Sequence, residues 1–249
     1  MANILITGGT GLVGKRLTDF LLKKKHNVRV LSRTPSAKNE YKWDVVNDYI
    51  DEEALLNLDY IIHLAGAGIA DKRWTSERKK VIIDSRVATA NLLYSKIKAL
   101  NIPLKGFISA SGSNFYGAKT TNTIYTETDN AGTDFLGDVC LQWENAAQQF
   151  DTLKIPVTLL RTGIVLSKKG GALQKMKTPI ISPLGQENNT CLGFILMTCA
   201  TYTFMRLSKI LQGFSMPLHP IFKPVNPFQK YWLKVSKALI CQWQFRDSY

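Results

Sequence analysis

Asn3-Ile4-Leu5-Ile6-Thr7-Gly8-Gly9-Thr10-Gly11-Leu12-Val13-Gly14 is the stretch that decides the fold. Asn3 to Ile6 reads as a short apolar strand and Thr7 to Gly14 as a glycine-rich turn. A helix pattern follows at once, from Lys15 to Leu22. Strand, glycine turn and helix start together make a site for a pyrophosphate. The glycines allow close backbone approach, and the helix start offers unpaired N–H groups and a positive dipole end. The spacing Gly9-x-Gly11-x-x-Gly14 matches the dinucleotide fingerprint, with Gly8, Gly11, Leu12, Val13 and Gly14 as the expected contacts. The alternative is a glycine turn that merely packs the helix on the sheet.

Working outward, residues 1–166 alternate between strand and helix signals. Val28 to Leu31, Tyr60 to Ala65, Gly106 to Ser109 and Val157 to Leu160 read as strands. Ile82 to Ala99 and Gln142 to Phe150 carry helical spacing. Continuous apolar strands between helices predict an α/β fold, a Rossmann-type doubly wound parallel sheet covered on both faces. The 249 residues fit one large domain or a domain plus a lobe, and 45% apolar content supplies a core. Met1-Ala2 leads directly into a strand, so no secretory signal is expected. The four cysteines show no paired short spacing, which predicts reduced thiols in a cytoplasmic protein and no metal set. The net charge is +13 without a long Lys/Arg block. Lys23 to Lys25 suit a helix C-terminus, and no nucleic-acid or membrane partner is expected; an anionic small molecule also suits a basic chain.

The end of the second strand reads Ser32-Arg33, where a carboxylate for the ribose hydroxyls of NAD would stand. A guanidinium there pairs with a 2′-phosphate in fork geometry, which favours NADP over NAD. The alternative is a surface arginine with no ligand. Asp44 either meets the adenine or caps a turn. His63-Leu64-Ala65-Gly66-Ala67-Gly68 puts small residues at a strand's C-terminal end, where ligands sit in open α/β sheets, so Leu64, Ala65 and Gly66 are candidate cofactor contacts. Lys72, Arg73 and Trp74 form a candidate substrate wall, with cations for an anionic group and a ring for stacking, or else a helix flank. Arg86, inside the next helix, reaches either the cofactor phosphates or a carboxylate.

Thr7 to Gly14, His63 to Gly68, Ser109-Ala110-Ser111 with Tyr116-Gly117, and Arg161 to Leu166 resemble the extended and atypical short-chain dehydrogenase/reductases. The small NAD(P)-dependent epimerase/dehydratase-like branch, some members of which are labelled cell-division inhibitors, is similar in further stretches. These are Ala67 to Thr75, Ser85 to Thr89, Trp143 to Ala147 and Gly170 to Leu173. The resemblance covers residues 1–185 and implies an oxidoreductase or epimerase of unknown substrate. Chemistry in the wider superfamily rests on a Ser or Thr and a Tyr-x-x-x-Lys pair, in which the ammonium lowers the tyrosine pKa. Ser111 matches the serine, with a role in polarising a substrate oxygen. The pair is missing from the helix near Val139, which reads Cys140-Leu141-Gln142-Trp143-Glu144. Tyr94-Ser95-Lys96-Ile97-Lys98 has the spacing but precedes the serine strand. Tyr116 is a substitute acid or a packing residue. Glu144 is a buried acid/base or, as the commoner state, a helix-surface carboxylate. The missing pair keeps a second reading open, a non-catalytic nucleotide-sensing or regulatory protein.

The chain changes character after Gly185. Residues 1–185 hold 25 basic and 17 acidic side chains, whereas residues 186–249 hold 7 and 2. The resemblance implies Gln-Tyr-Met-Pro-Trp-Ile-His-Ile-Asp-Asp soon after Pro183-Leu184-Gly185, and the chain has Asn188 to Thr198 instead. Taking the last base of each codon with the first two of the next restores the motif. Asn189/Thr190 allows Tyr, Thr190/Cys191 allows Met, and Met197/Thr198 forces Asp. Gln212 to Pro220 likewise permits Gly-Val-Phe-Asn-Ala-Val-Ala-Pro in that frame. The expected organisation is therefore a nucleotide-binding domain over 1–185 and an aberrant, frameshifted substrate-lobe sequence over 186–249. The competing expectation is a true divergent tail that touches a membrane or partner around Leu192 to Phe204.

Overall fold

The computed structural model describes residues 1–118, 123, 125–167, 170–171 and 193–195. The element order is β1 (Asn3–Thr7), α1 (Leu12–Lys23), β2 (Asn27–Ser32), β3 (Glu40–Asp44), β4 (Tyr49–Ile50), β5 (Tyr60–His63), α2 (Ser76–Ala99), β6 (Gly106–Gly112), α3 (Phe135–Gln148), β7 (Val157–Thr162), β8 (Ile164–Ser167), β9 (Gly170–Gly171) and β10 (Gly193–Ile195). Seven strands form one sheet in the order β4-β3-β2-β1-β5-β6-β7. All of its pairings are parallel except β3 with β4. A smaller sheet has the order β10-β8-β9, with β10 parallel to β8. The doubly wound parallel sheet expected from the sequence is the fold observed. The organisation expected over 186–249 falls outside the described residues apart from β10.

Strand periodicity explains why Ile4-Leu5-Ile6 lacks polar residues. Ile4 and Ile6 face α1, packing with Leu17, Leu21, Val28, Val30 and Ile62. Leu5 points the other way, with Ile61, Leu93 and Phe107, toward α2 and α3. A strand buried on both faces has no solvent side to mark with charge. Phe107 and Phe150 stack at 3.9 Å between ring centroids and anchor the α2/α3 layer.

The helices start where capping chemistry permits. Thr75 accepts from the Arg78 amide ahead of α2, and Asp134 accepts from the Gly137 amide ahead of α3. The start of α1 has no side-chain cap on its N-cap residue, Gly11, so its first amides have no side-chain acceptor there. Several bounds differ from the sequence reading, and α2 begins at Ser76 rather than Ile82. β5 ends at His63, leaving Leu64 and Ala65 in the loop. α3 begins at Phe135 rather than Gln142. Phe150 lies in a short 3-10 segment after α3. Tyr94 sits on α2, edge-on to Phe150 at 5.5 Å, with its hydroxyl 2.9 Å from Thr152 Oγ1. It is a packing residue, as its position before the serine strand implied. No described helix is long and apolar enough to cross a membrane.

Candidate functional site

The glycine turn is shaped by its neighbours. Gly8 has φ +68°, in the left-handed region that favours glycine. A Cβ there would come within 2.8 Å of the Leu64 carbonyl. The turn is therefore pressed onto the loop after β5, and Leu64 and Ala65 form its opposite wall. The Gly11 amide donates to the Gly8 carbonyl at 3.0 Å, which closes the turn and starts α1. A Cβ on Gly14 would overlap the Gly8 carbonyl oxygen and sit 2.6 Å from the Gly9 Cα. Backbone meets backbone at this point and cannot rotate away. Gly14→Ala is expected to cost about 1–3 kcal/mol of folding stability, measured by urea denaturation, as overpacking does in tight interiors. An unchanged midpoint would show that the turn relaxes freely.

Ser32 is buried at the end of β2, where its hydroxyl accepts from the Thr34 amide at 3.3 Å. Arg33 is exposed and has no hydrogen-bond or ion-pair partner among the described residues. Asp44 caps the turn between β3 and β4. Its carboxylate accepts from Val46 N at 3.0 Å, Asn47 N at 3.3 Å and Asn47 Nδ2 at 2.8 Å. The Asn47 side-chain amide, first among these donors, holds the carboxyl below its ordinary range. Of the two roles expected for Asp44, the geometry serves the turn cap.

A buried polar network occupies the C-terminal ends of β6 and β7. Ser111 Oγ donates to Glu144 Oε1 at 2.6 Å. Arg161 holds the same carboxylate in a fork, with Nε 2.8 Å from Oε1 and Nη2 2.7 Å from Oε2. Its Nη1 donates to the Tyr116 hydroxyl at 2.8 Å, and that hydroxyl donates to the Thr126 carbonyl at 2.8 Å. The Arg161 guanidinium lies 3.4 Å over the Phe115 ring. The surface position that is common for a helix glutamate is not the one found: Glu144 is only 3% exposed. Arg161, a charge following the mostly apolar Val157–Leu160 run, was not among the expected site residues, although a charge there needs a buried partner.

Proton counting fixes what this network offers. Tyr116 gives its proton to a carbonyl and accepts from Arg161, so it has no spare proton for a ligand. Ser111 gives its single proton to Glu144 and keeps two lone pairs. As built, Ser111 accepts hydrogen bonds; donating to a substrate oxygen requires it first to leave Glu144. On α3, Cys140 and Glu144 stand at the x-x-x spacing of the missing Tyr/Lys pair. Burial pushes the Cys140 thiol above its usual range.

His63 is fully buried at the end of β5. Thr7 Oγ1 accepts from the Leu64 and Ala65 amides at 3.2 Å each, so its own proton goes to His63 Nδ1 at 2.8 Å. Thr89 Oγ1 donates to the Ser85 or Arg86 carbonyl at 2.9 Å and faces His63 Nε2 at 3.4 Å. The ring is therefore neutral, with its proton on Nε2. Burial is the main reason its pKa falls to about 4.

Trp74 is partly exposed, with its indole N–H on the Ile69 carbonyl at 2.8 Å and its ring edge-on to Phe135 at 5.2 Å. Lys72 and Arg73 lie beside it, both exposed, on the loop that leads into α2. Arg86 donates from Nη2 to the Ala67 carbonyl at 3.1 Å, and a Cβ on Gly66 would come within 2.9 Å of its Cζ.

The sequence profile of the NAD dependent epimerase/dehydratase family matches residues 4–135. An epimerase family protein of Staphylococcus aureus is 38% identical over 183 residues, covering 72% of this chain and 60% of that protein. One from Mycobacterium bovis is 35% identical over 185 residues, covering 73% and 60%. The chain thus spans about 60% of the length of these curated relatives. Among solved structures, a human epimerase family protein with NADPH is 25% identical, with TM-score 0.71 over 84% of this chain and 71% of that one. A nucleoside-diphosphate sugar epimerase from Corynebacterium glutamicum is 28% identical, with TM-score 0.70 over 82% and 43%. With the parallel sheet, the glycine turn and a profile match over more than half its length, this chain belongs to the NAD dependent epimerase/dehydratase family.

Proposed function

We propose that this protein binds NADP(H) and is an epimerase- or reductase-like oxidoreductase. The observation that carries the reading is the glycine turn. Gly8 and Gly14 have no room for a Cβ, and the α1 start that lies between them has no side-chain cap. A pyrophosphate fits there, held by the backbone of Gly8, Gly11, Leu12, Val13 and Gly14, with Leu64, Ala65 and Gly66 as the facing wall. When bound, the nicotinamide would supply hydride transfer. Ser32 and the exposed Arg33 suit a 2′-phosphate, and the human relative was solved with NADPH. Other structures of the same fold hold NAD, so the choice between the two rests on Arg33. Arg33→Ala is expected to weaken NADPH about 10- to 100-fold, the value of a charge-assisted hydrogen bond, while leaving NADH unchanged. Fluorescence titration with both nucleotides measures this; equal losses would assign Arg33 no part in the preference.

The second reading is a nucleotide sensor without catalysis. The Tyr116 and Ser111 hydroxyl protons are both engaged inside the protein, and Cys140 and Glu144 stand at the spacing of the acid/base pair. Turnover of NADPH over a panel of carbonyl compounds separates the two readings. Oxidation with any of them would rule out the sensor.

For residues 186–249 the proposal is a shifted reading frame beginning near Gly185 to Asn188. The relatives' likeness extends over 183 and 185 residues, a length comparable to that of residues 1–185, while covering 60% of their own length. Re-sequencing the codons for Pro183 to Met197 is expected to find one or two bases gained or lost. An intact frame would overturn the shift.

A further inference from the structure

Arg86 is 6% exposed, yet no carboxylate pairs with it among the described residues. Its Nη1 donates to the Ile82 carbonyl at 2.8 Å and its Nη2 to the Ala67 carbonyl at 3.1 Å. Its Nη1 also lies 3.5 Å from the Ser85 hydroxyl, and its Nε is buried without a hydrogen-bond partner among the described residues. One face of the guanidinium lies 4.9 Å from the Trp143 ring centroid, and the backbone of Gly66 closes in on it. Two carbonyls and a ring do not neutralise a desolvated cation, and arginine is almost never this buried unless paired. The contrast within the fold is direct, because Arg161, on β7, is held in a full fork by Glu144. Nearby charge makes the position worse, since Arg78, two turns earlier on α2, donates to the Gly68 carbonyl of the same loop. Both arginines grip the backbone of the 66–68 loop. Two residues before Ala67, that loop touches Gly8 of the glycine turn.

We propose that Arg86 is an anion-recognition residue, a buried positive charge that receives a phosphoryl group of the ligand bound against the loop after β5. This deepens the cofactor reading, and rests on it for the source of the phosphate. The same chemistry would serve the diphosphate of a nucleotide-linked substrate. The proposal has a consequence that a loop clamp does not share. A charge kept for a ligand burdens the empty protein, so removing it leaves stability equal or raises it while affinity falls. A clamp gives the reverse, lost stability with unchanged affinity.

The test compares the full chain with Arg86→Met, which keeps an apolar stem, and Arg86→Lys, which keeps the charge but loses the fork. The readouts are the melting temperature without ligand, the Kd for NADPH by fluorescence, and the rise in melting temperature with NADPH, UDP-glucose or inorganic pyrophosphate. The expected result is an unchanged or higher melting temperature for Arg86→Met, with NADPH binding about 10- to 100-fold weaker, and Arg86→Lys between the two. A loss confined to NADPH assigns the phosphate to the cofactor, and a loss confined to UDP-glucose assigns it to a substrate. If the wild type ignores NADPH, the cofactor reading fails by itself. Arg86 then stands only if pyrophosphate or UDP-glucose raises the wild-type melting temperature and not that of Arg86→Met. A lower melting temperature for Arg86→Met with every affinity intact overturns the proposal.

Discussion

Arg161→Met is expected to cost about 3–5 kcal/mol of folding stability, the penalty for removing one partner of a buried ion pair. The partner left behind is Glu144, whose side chain is 4% accessible, against 19% for Arg161. In the native protein that carboxylate accepts two guanidinium N–H groups and the Ser111 hydroxyl. Without Arg161 a single neutral hydroxyl remains to it, and the Tyr116 hydroxyl, which donates to the Thr126 carbonyl, loses the donor it accepts from. Chemical denaturation of the single variant gives the cost. The double variant Glu144→Leu/Arg161→Met serves as the control, because replacing both charges with apolar groups is often near neutral. If the double variant is as unstable as the single one, the loss comes from packing against Phe115 and not from the stranded charge.

Acidification is expected to remove about 3 kcal/mol through His63 alone. The unfolded chain takes up a proton near the ordinary histidine pKa of 6.5, whereas the folded ring resists it until about 4. A pKa lowered on folding leaves the native state fully stable above the unfolded value. The contribution disappears as pH falls through the window from 6.5 toward 4. Each pKa unit is worth about 1.4 kcal/mol, which sets the size of the loss. Burial of the ring is the main cause, and the hydrogen-bond geometry acts in the same direction. A second ring proton would meet Thr7 Oγ1, which already accepts two amides and has its own hydrogen pointing at Nδ1. Urea denaturation at about pH 7 and about pH 4.5 should show a steep fall for wild type and a shallower one for His63→Gln. Parallel falls would place the acid sensitivity elsewhere.

The fold was legible where one physical signal dominated. Ile4-Leu5-Ile6 and Tyr60-Ile61-Ile62 are apolar because both faces are covered, and the glycines follow because backbone meets backbone. Strands β3 and β4 were not legible. Glu40 to Asp44 alternates charge with aromatic rings, buries only Trp43, and lies one strand in from the sheet edge beside the two-residue β4, so it carries no apolar run. The polar network was half legible. Ser111 and Glu144 are candidates by residue type, but they lie 33 positions apart and meet only because α3 packs on β6. Their link to Arg161 spans 17 more positions and a third element. No linear spacing encodes such a triangle. The readable sign was a lone charge ending an apolar strand, which requires a buried counter-charge. Arg86 was legible as a residue, whereas its missing carboxylate appears only in three dimensions.

The Glu144–Arg161 pair also constrains where this lineage can go by single substitutions. Restoring a Tyr/Lys pair would place Tyr at position 140 and Lys at position 144. Lysine at 144 would face the Arg161 guanidinium with no anion between them, and changing Arg161 first would strand Glu144. Every one-step route passes through a buried, uncompensated charge. Exchanging one arrangement for the other without stranding a buried charge therefore takes at least three coordinated replacements, at positions 140, 144 and 161.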